Sequence, residues 1–108
     1  MKKNIKDSIE KIRIKYPNKL PVFVFRSKKD KSLGDISNNK FLVPDSLTLG
    51  QFISVIRKRI KINSEVSMFL FINNTIPCTS SGMSELYEQH KNKDGMLEIE
   101  YCGENVFG

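Results

Sequence analysis

The one histidine and two cysteines are the side chains of this sequence that most readily do acid–base or nucleophilic chemistry near neutral pH, and none stands where that chemistry needs it. His90, the single histidine, sits beside Lys91 in a polar stretch and reads as a surface imidazole rather than a general base. Cys78 and Cys102 lie far apart, with no base beside either and no His or Cys near enough to complete a ligand set. A disulfide between them stays open at this level, although two isolated thiols are more often free cysteines of an intracellular chain. No Gly-rich phosphate loop, paired-carboxylate motif or metal-ligand spacing occurs. The sequence therefore predicts no enzyme and no cofactor, and points to binding.

The stretch best suited to binding is Lys40-Phe41-Leu42-Val43-Pro44 with the segment after it. Residues 40–43 read as a short strand that stops at Pro44, which lacks the N–H that a continuing ladder needs. Asp45 and Ser46 turn the chain, and Thr48-Leu49-Gly50-Gln51 fits a capping box at the start of a helix. Leu49, Phe52, Ile53, Ile56 and Ile60 then recur at helical spacing as one apolar stripe. Phe41, Val43 and Val55 are left over. A strand and a helix with surplus apolar residues predict the two walls of a surface groove.

Around this pair the periodicity predicts five more elements. Ile5, Ile9, Ile12 and Tyr16 share one face of a basic helix that Pro17 ends, and that face is expected to lie on the domain. Residues 20–25 form a strand with Val22 and Val24 on one side and Phe23 and Phe25 on the other, so both faces should be covered at least in part. Residues 27–39 form a polar connection with Lys28, Lys29 and Lys31 at a solvated tip. Residues 68–72 are a strand, 84–90 a short helix, and 96–101 a strand with Leu97, Ile99 and Tyr101 inward. The order, hairpin then helix then two more strands, predicts an α+β fold of the ubiquitin-like β-grasp kind. It has a four-stranded mixed sheet, a crossing helix, a short second helix and an added N-terminal helix. The first and last strands should lie parallel at its centre. One domain is expected over 1–108, with a helical extension at 1–17, a core at 18–102 and a flexible tail at 103–108.

At 108 residues, with 39% apolar and 28% charged residues, the chain is long enough to bury a core without staples. No apolar run is of membrane-spanning length and no secretory segment is evident, so a cytoplasmic location is expected. The net charge of +6 is uneven: residues 1–62 carry sixteen Lys or Arg against five acids, and residues 63–108 two against seven. The basic half suits nucleic acid, anionic lipid or acidic peptide. Nucleic acid is disfavoured because no aromatic stacking motif is interleaved with the cations.

Read together, Ile12-Arg13, Lys15-Tyr16-Pro17, Leu20-Pro21-Val22, Lys40-Phe41-Leu42-Val43-Pro44, Leu47-Thr48-Leu49-Gly50-Gln51-Phe52, Ile56-Arg57-Lys58-Arg59-Ile60, Phe71-Ile72-Asn73-Asn74, Leu86-Tyr87 and the closing Phe107-Gly108 carry a resemblance over nearly the whole chain. The sequence resembles the autophagy-related ubiquitin-like modifiers, the family of GABARAP and the microtubule-associated light chain proteins. That resemblance implies conjugation through Gly108, preceded by Phe107, to phosphatidylethanolamine. The implied partners are activating and conjugating enzymes, a processing cysteine protease and autophagosomal or other vesicle membranes. It also implies recognition of aromatic-x-x-aliphatic motifs of cargo receptors and adaptors, by addition of a strand to the 40–43 edge. The implied aromatic pocket is Ile12, Pro21, Phe23, Lys40, Leu42 and Met96. The implied aliphatic pocket is Phe41, Val43, Pro44, Leu47, Phe52 and Val55. Lys19, Lys40, Arg57 and Arg59 would meet an acidic flank, and Phe69 and Phe71 would form a second patch. Gly95 and Met96 stand where aromatic residues are common in the family, which implies a wider, more deformable pocket. Leu42→Asp or Phe52→Asp is expected to abolish motif binding without unfolding. The alternative is a β-grasp adaptor that binds the same motifs without a lipidation cycle.

Overall fold

The computed structural model describes residues 4–63 and 65–103. Helix α1 (Ile5–Lys15) starts at Asn4, whose side chain accepts the Lys6 N–H at 2.9 Å. It is followed by β1 (Lys19–Arg26), β2 (Lys40–Pro44), α2 (Leu49–Ile60), β3 (Phe69–Phe71), α3 (Met83–His90) and β4 (Leu97–Cys102). The sheet order is β2-β1-β4-β3, with β1 and β4 parallel at the centre and both outer pairings antiparallel. This is the mixed β-grasp sheet expected from the element order.

Alternation along the strands sorts residues onto two faces. Val22, Val24, Val43, Leu70, Leu97, Ile99 and Tyr101 point to one face, together with Leu20, and meet Leu49, Phe52 and Ile56 of α2 and Met83, Leu86 and Tyr87 of α3 in a single core. The other face carries Phe23, Phe25, Glu98, Glu100, Phe69 and Phe71, and here the aromatic side chains are half-buried. Phe23 and Phe25 stack at 5.8 Å between ring centroids. The first strand is thus sealed on one side and only partly covered on the other.

Local chemistry sets the boundaries of α2. Gln51 N–H donates to Thr48 Oγ1 at 3.2 Å and Thr48 N–H donates to Gln51 Oε1 at 2.9 Å, closing the capping box. The helix ends at Lys61, which adopts the left-handed region at φ 60°.

Two expectations are corrected. Of the four residues on the apolar face of α1, only Ile9 is buried; Ile12 is half-buried, and Ile5 and Tyr16 are 63% and 40% exposed. The helix meets the body through Ile9, which lies against Gly95, and through Arg13 in its last turn, which donates to the Lys19 carbonyl at 2.6 Å. The 27–39 connection is not simply solvated either. Leu33 and Ile36 are buried in the core and Ser27 and Asp30 are also buried, while Lys28, Lys29 and Lys31 stay exposed.

Candidate functional site

Among the described residues β2 is an edge strand, paired only with β1. Val24 N–H donates to the Asn39 carbonyl at 2.8 Å, just before the ladder that pairs Val22 with Phe41 and Leu20 with Val43. In an antiparallel ladder the hydrogen-bonded pairs alternate, so Phe41 and Val43 turn their backbone groups toward β1. Lys40 and Leu42 turn theirs to the open edge. Pro21 lies opposite Leu42, in the register position where no N–H is required by β2. Pro44 ends the edge for the same chemical reason. The Lys40 N–H already has a weak local acceptor, Asn38 Oδ1 at 3.4 Å.

The same alternation divides the apolar side chains between two sides of this edge. On the side away from the core, Pro21 faces Leu42 and Phe23 faces Lys40 across the strands. Met96 immediately precedes Leu97, the partner of Val22, and falls beside Pro21. Ile12 is half-buried on α1, the helix packed on β1. Leu42 is 41% exposed and Lys40 exposed, whereas Pro21 is buried and serves as floor. The register therefore sets Pro21, Phe23, Lys40 and Leu42 on one side of β1 and β2, with Met96 next to them along the chain that enters β4.

On the other side, the Phe41 ring meets Phe52 edge-on at 5.3 Å, and the Arg59 guanidinium lies 4.9 Å over the Phe41 ring. Phe41, Pro44 and Leu47 are half-buried and Val55 is 38% exposed, which leaves a shallow apolar surface between β2 and α2. Val43 and Phe52, expected to line this surface, are 2% and 1% exposed. They belong to the core. Val43 sits opposite Leu20, and Phe52 lies on the buried stripe with Leu49 and Ile56, so both support the surface from beneath. Phe52→Asp is consequently not a clean binding variant.

The cations also divide. Arg57 donates to the carbonyls of Asn63 at 3.1 Å and Val66 at 2.6 Å, holding the chain that leaves α2. Its guanidinium is committed to the fold, contrary to the expected contact with an acidic flank. Arg59 is exposed above Phe41, Lys40 is exposed on the edge, and Lys19 is half-buried at the start of β1. Lys58 and Lys61 were not anticipated. With Ser37, Val55 and Arg59 they line a cavity of about 370 Å³ at the end of the groove. The helical spacing carries the signal: Lys58 and Arg59 stand three and four residues after Val55 and share its face, whereas Arg57 does not.

Phe69 and Phe71, the expected second patch, are half-buried on the face opposite α2. Phe71 and Phe23 both line a cavity of about 650 Å³ with Phe25, Lys28, Lys29 and Glu100. Another, of about 470 Å³, lies between α1 and residues 91–95. Phe107 and Gly108, the expected conjugation residues, lie outside the described residues. Gly103, placed by the sequence at the start of the tail, is buried, and its N–H donates to Asp30 Oδ1 at 2.8 Å.

The chemically capable side chains do not converge. Cys78 is exposed and Cys102 buried, and both are free. The Ser80 hydroxyl at 3.0 Å and nearby backbone N–H groups draw the Cys78 thiol below its ordinary value, while burial pushes Cys102 up. His90 Nδ1 lies 3.1 Å from the Asn73 amide nitrogen. Among the described residues no group of three or more His, Cys, Asp or Glu is placed to hold a metal ion. No described helix is long and apolar enough to cross a membrane.

Comparison with known proteins adds the lineage. The family described as "Autophagy protein Atg8 ubiquitin like" matches residues 3–108. Autophagy-related protein 8d of Arabidopsis thaliana is 49% identical over 98 residues, covering 91% of this chain and 81% of that protein. Autophagy-related protein 8 of Schizosaccharomyces pombe is 49% identical over 104 residues, covering 95% and 84%. The crystal structure of Trypanosoma brucei ATG8 superposes with a TM-score of 0.86 at 35% identity, covering 93% of this chain and 85% of that one.

Proposed function

Because this chain belongs to the Atg8 family of ubiquitin-like autophagy proteins, we propose that it is a lipid-conjugated modifier that recruits motif-bearing receptors to autophagic membranes. The observation that carries the recognition half is the one-sided pairing of β2, whose Lys40 and Leu42 backbone groups face outward between two apolar surfaces. A docked segment would run along this edge and extend the sheet. Its aromatic residue would rest among Ile12, Pro21, Phe23, Lys40, Leu42 and Met96, and its aliphatic residue among Phe41, Pro44, Leu47 and Val55. Acids upstream would be drawn by Lys40, Arg59 and Lys19. Phe69 and Phe71 would offer a second contact face to other partners.

The conjugation half rests on family membership and on Phe107-Gly108 in the sequence. The Gly108 carboxylate would attack the α-phosphorus of ATP, releasing pyrophosphate and forming an acyl adenylate. An enzyme cysteine thiolate then displaces AMP to give a thioester. The amine of phosphatidylethanolamine displaces that thiol in turn, forming the amide and losing a proton. A residue without a side chain suits the narrow channels these steps need, and a cysteine protease would first expose Gly108 where residues follow it. The protein would divide between cytoplasm and autophagosomal or other vesicle membranes.

Two assays test the halves separately. Titration with a peptide of the form acid-acid-Trp-x-x-Leu should give a dissociation constant of order micromolar. Leu42→Asp should weaken that binding at least tenfold, and an unaffected affinity would reject the groove. Incubation with the activating and conjugating enzymes, ATP and phosphatidylethanolamine vesicles should give a lipidated product that Gly108→Ala does not. Peptide binding without any such product would make the chain a non-conjugated adaptor.

A further inference from the structure

Asp30 is 2% exposed, in a loop otherwise rich in solvated lysines. A carboxylate at such depth needs its charge satisfied by donors. Asp30 Oδ2 accepts the Leu33 N–H at 3.0 Å, and Oδ1 accepts the Ser32 hydroxyl at 2.8 Å. These two are local and would close a loop turn on their own. The third donor is the Gly103 N–H at 2.8 Å, 73 residues further along the chain.

The surrounding contacts hold the loop to the ends of β1 and β4. Ser27 N–H donates to the Tyr101 carbonyl at 2.8 Å, the Tyr101 hydroxyl donates to the Gly34 carbonyl at 2.6 Å, and Arg26 donates to the Leu33 carbonyl at 2.7 Å. The approach at Gly103 is close. A Cβ there would fall 2.1 Å from Ser32 Oγ and 3.1 Å from Asp30 Oδ1, so a side chain would displace the Ser32 hydroxyl and crowd the Asp30 carboxylate. Position 103 thus favours glycine for want of space.

We propose that Asp30 and Gly103 form a latch that fixes where the C-terminal segment leaves the domain, and so positions Gly108 for the enzymes that act on it. This rests on the conjugation reading above. Gly108 stands five residues beyond Gly103, which lets it reach at most about 17 Å from a fixed base. A base held by the domain leaves fewer conformations to be lost when the terminus is drawn into an enzyme channel. Asp30 acts through Gly103 and is a positioning residue, not a catalytic one, and Ser32 is only the neighbour that limits the space at 103.

The test compares Asp30→Ala, Ser32→Ala, Gly103→Ala and the double variant Ser32→Ala/Gly103→Ala with wild type. Three readouts are taken: amide hydrogen exchange at residue 103, steady-state thioester loading by the activating and conjugating enzymes, and motif-peptide affinity as a control for the fold. Asp30→Ala and Gly103→Ala should speed exchange at residue 103 and raise the loading KM several-fold, with kcat and peptide affinity near wild type. Ser32→Ala should leave loading near wild type. Added to Gly103→Ala, it should recover most of the loss, because removing Oγ makes room for the new Cβ while Asp30 still accepts the N–H. If Asp30→Ala does not fold, the Gly103 single and double variants decide the question. Faster exchange with unchanged loading would overturn the positioning role. Unchanged exchange in Asp30→Ala and Gly103→Ala would overturn the latch itself. A wild-type protein that is never loaded would instead reject the conjugation reading and with it the positioning role, while the exchange series still decides the latch.

Discussion

Leu42 and Phe52 show how much one residue's depth decides. Leu42 is 41% exposed on the β2 edge, so a carboxylate there stays hydrated. Phe52 is 1% exposed beneath the groove. Replacing its ring by an acid removes about 3–5 kcal/mol of packing and adds a charge that cannot be solvated. That is comparable with the whole stability of a domain this size, about 5–15 kcal/mol. In thermal melts at neutral pH, Leu42→Asp should unfold within a few degrees of wild type and Phe52→Asp should show no cooperative transition. Asp30 supplies a pH-dependent counterpart. Burial alone would raise its carboxyl, but hydrogen bonds from Leu33, Gly103 and Ser32 outweigh that and hold it below the ordinary value of 3.8. A folded-state value below the unfolded one means that its stabilisation is complete above the unfolded value and is lost as pH falls through the folded value. Hydrogen bonds to a charged acceptor of this kind contribute about 1.5–3 kcal/mol. Asp30→Asn should therefore be less stable than wild type by roughly that amount at pH 7, and the gap should narrow below about pH 4. Urea unfolding of both proteins at several pH values measures it, and a gap independent of pH would show that the charge contributes nothing.

At the level of elements, what could be read from sequence was what neighbouring residues decide. Thr48 and Gln51 announce the start of α2, Pro44 announces the end of β2, and both appear where their spacing puts them because a cap and a missing N–H are local facts. The parallel pairing of β1 and β4 followed from the element order, which allows few other sheets. What escaped was set by distant partners. Leu33 and Ile36 look like ordinary members of a polar loop until the core closes over them, and nothing near Asp30 or Gly103 in the sequence foretells their contact. The family resemblance implied Val43 and Phe52 for the groove, although the spacing of Phe52 already sets it on the apolar stripe of α2; for Val43, an apolar residue beside a surface looks the same in sequence as one beneath it. The capping box allows a quantitative check. Thr48→Ala frees the Gln51 N–H and breaks the reciprocal bond, which should cost about 1 kcal/mol. In a domain of this length that lowers the melting temperature by about 4–8 °C. A change under 1 °C would mean that tertiary packing alone fixes the start of α2.

Over the whole molecule, the basic first 62 residues supply both walls of the groove, and the acids are concentrated elsewhere. Lys40 and Arg59 are exposed along it, and Lys58 and Lys61 line the cavity at its end, so an approaching acidic segment meets one sign of charge from several directions. Such a field acts on the rate of encounter more than on the lifetime of the complex. At about 0.1 M salt its range is only about 10 Å, so raising the salt should slow association while leaving dissociation nearly unchanged. Stopped-flow mixing with an acid-flanked motif peptide should show that pattern, and a peptide with neutral flanks should show little salt dependence. The structure separates two neighbouring cations within this prediction. Lys58→Gln should lower the association rate and flatten its salt dependence without affecting stability. Arg57→Gln removes the bonds to Asn63 and Val66, so it should lower the melting temperature and leave association nearly as fast as in wild type. The reverse assignment, with Arg57 governing association and Lys58 silent, would mean that the docked segment enters from the other side of α2 and that the groove described here is not its path.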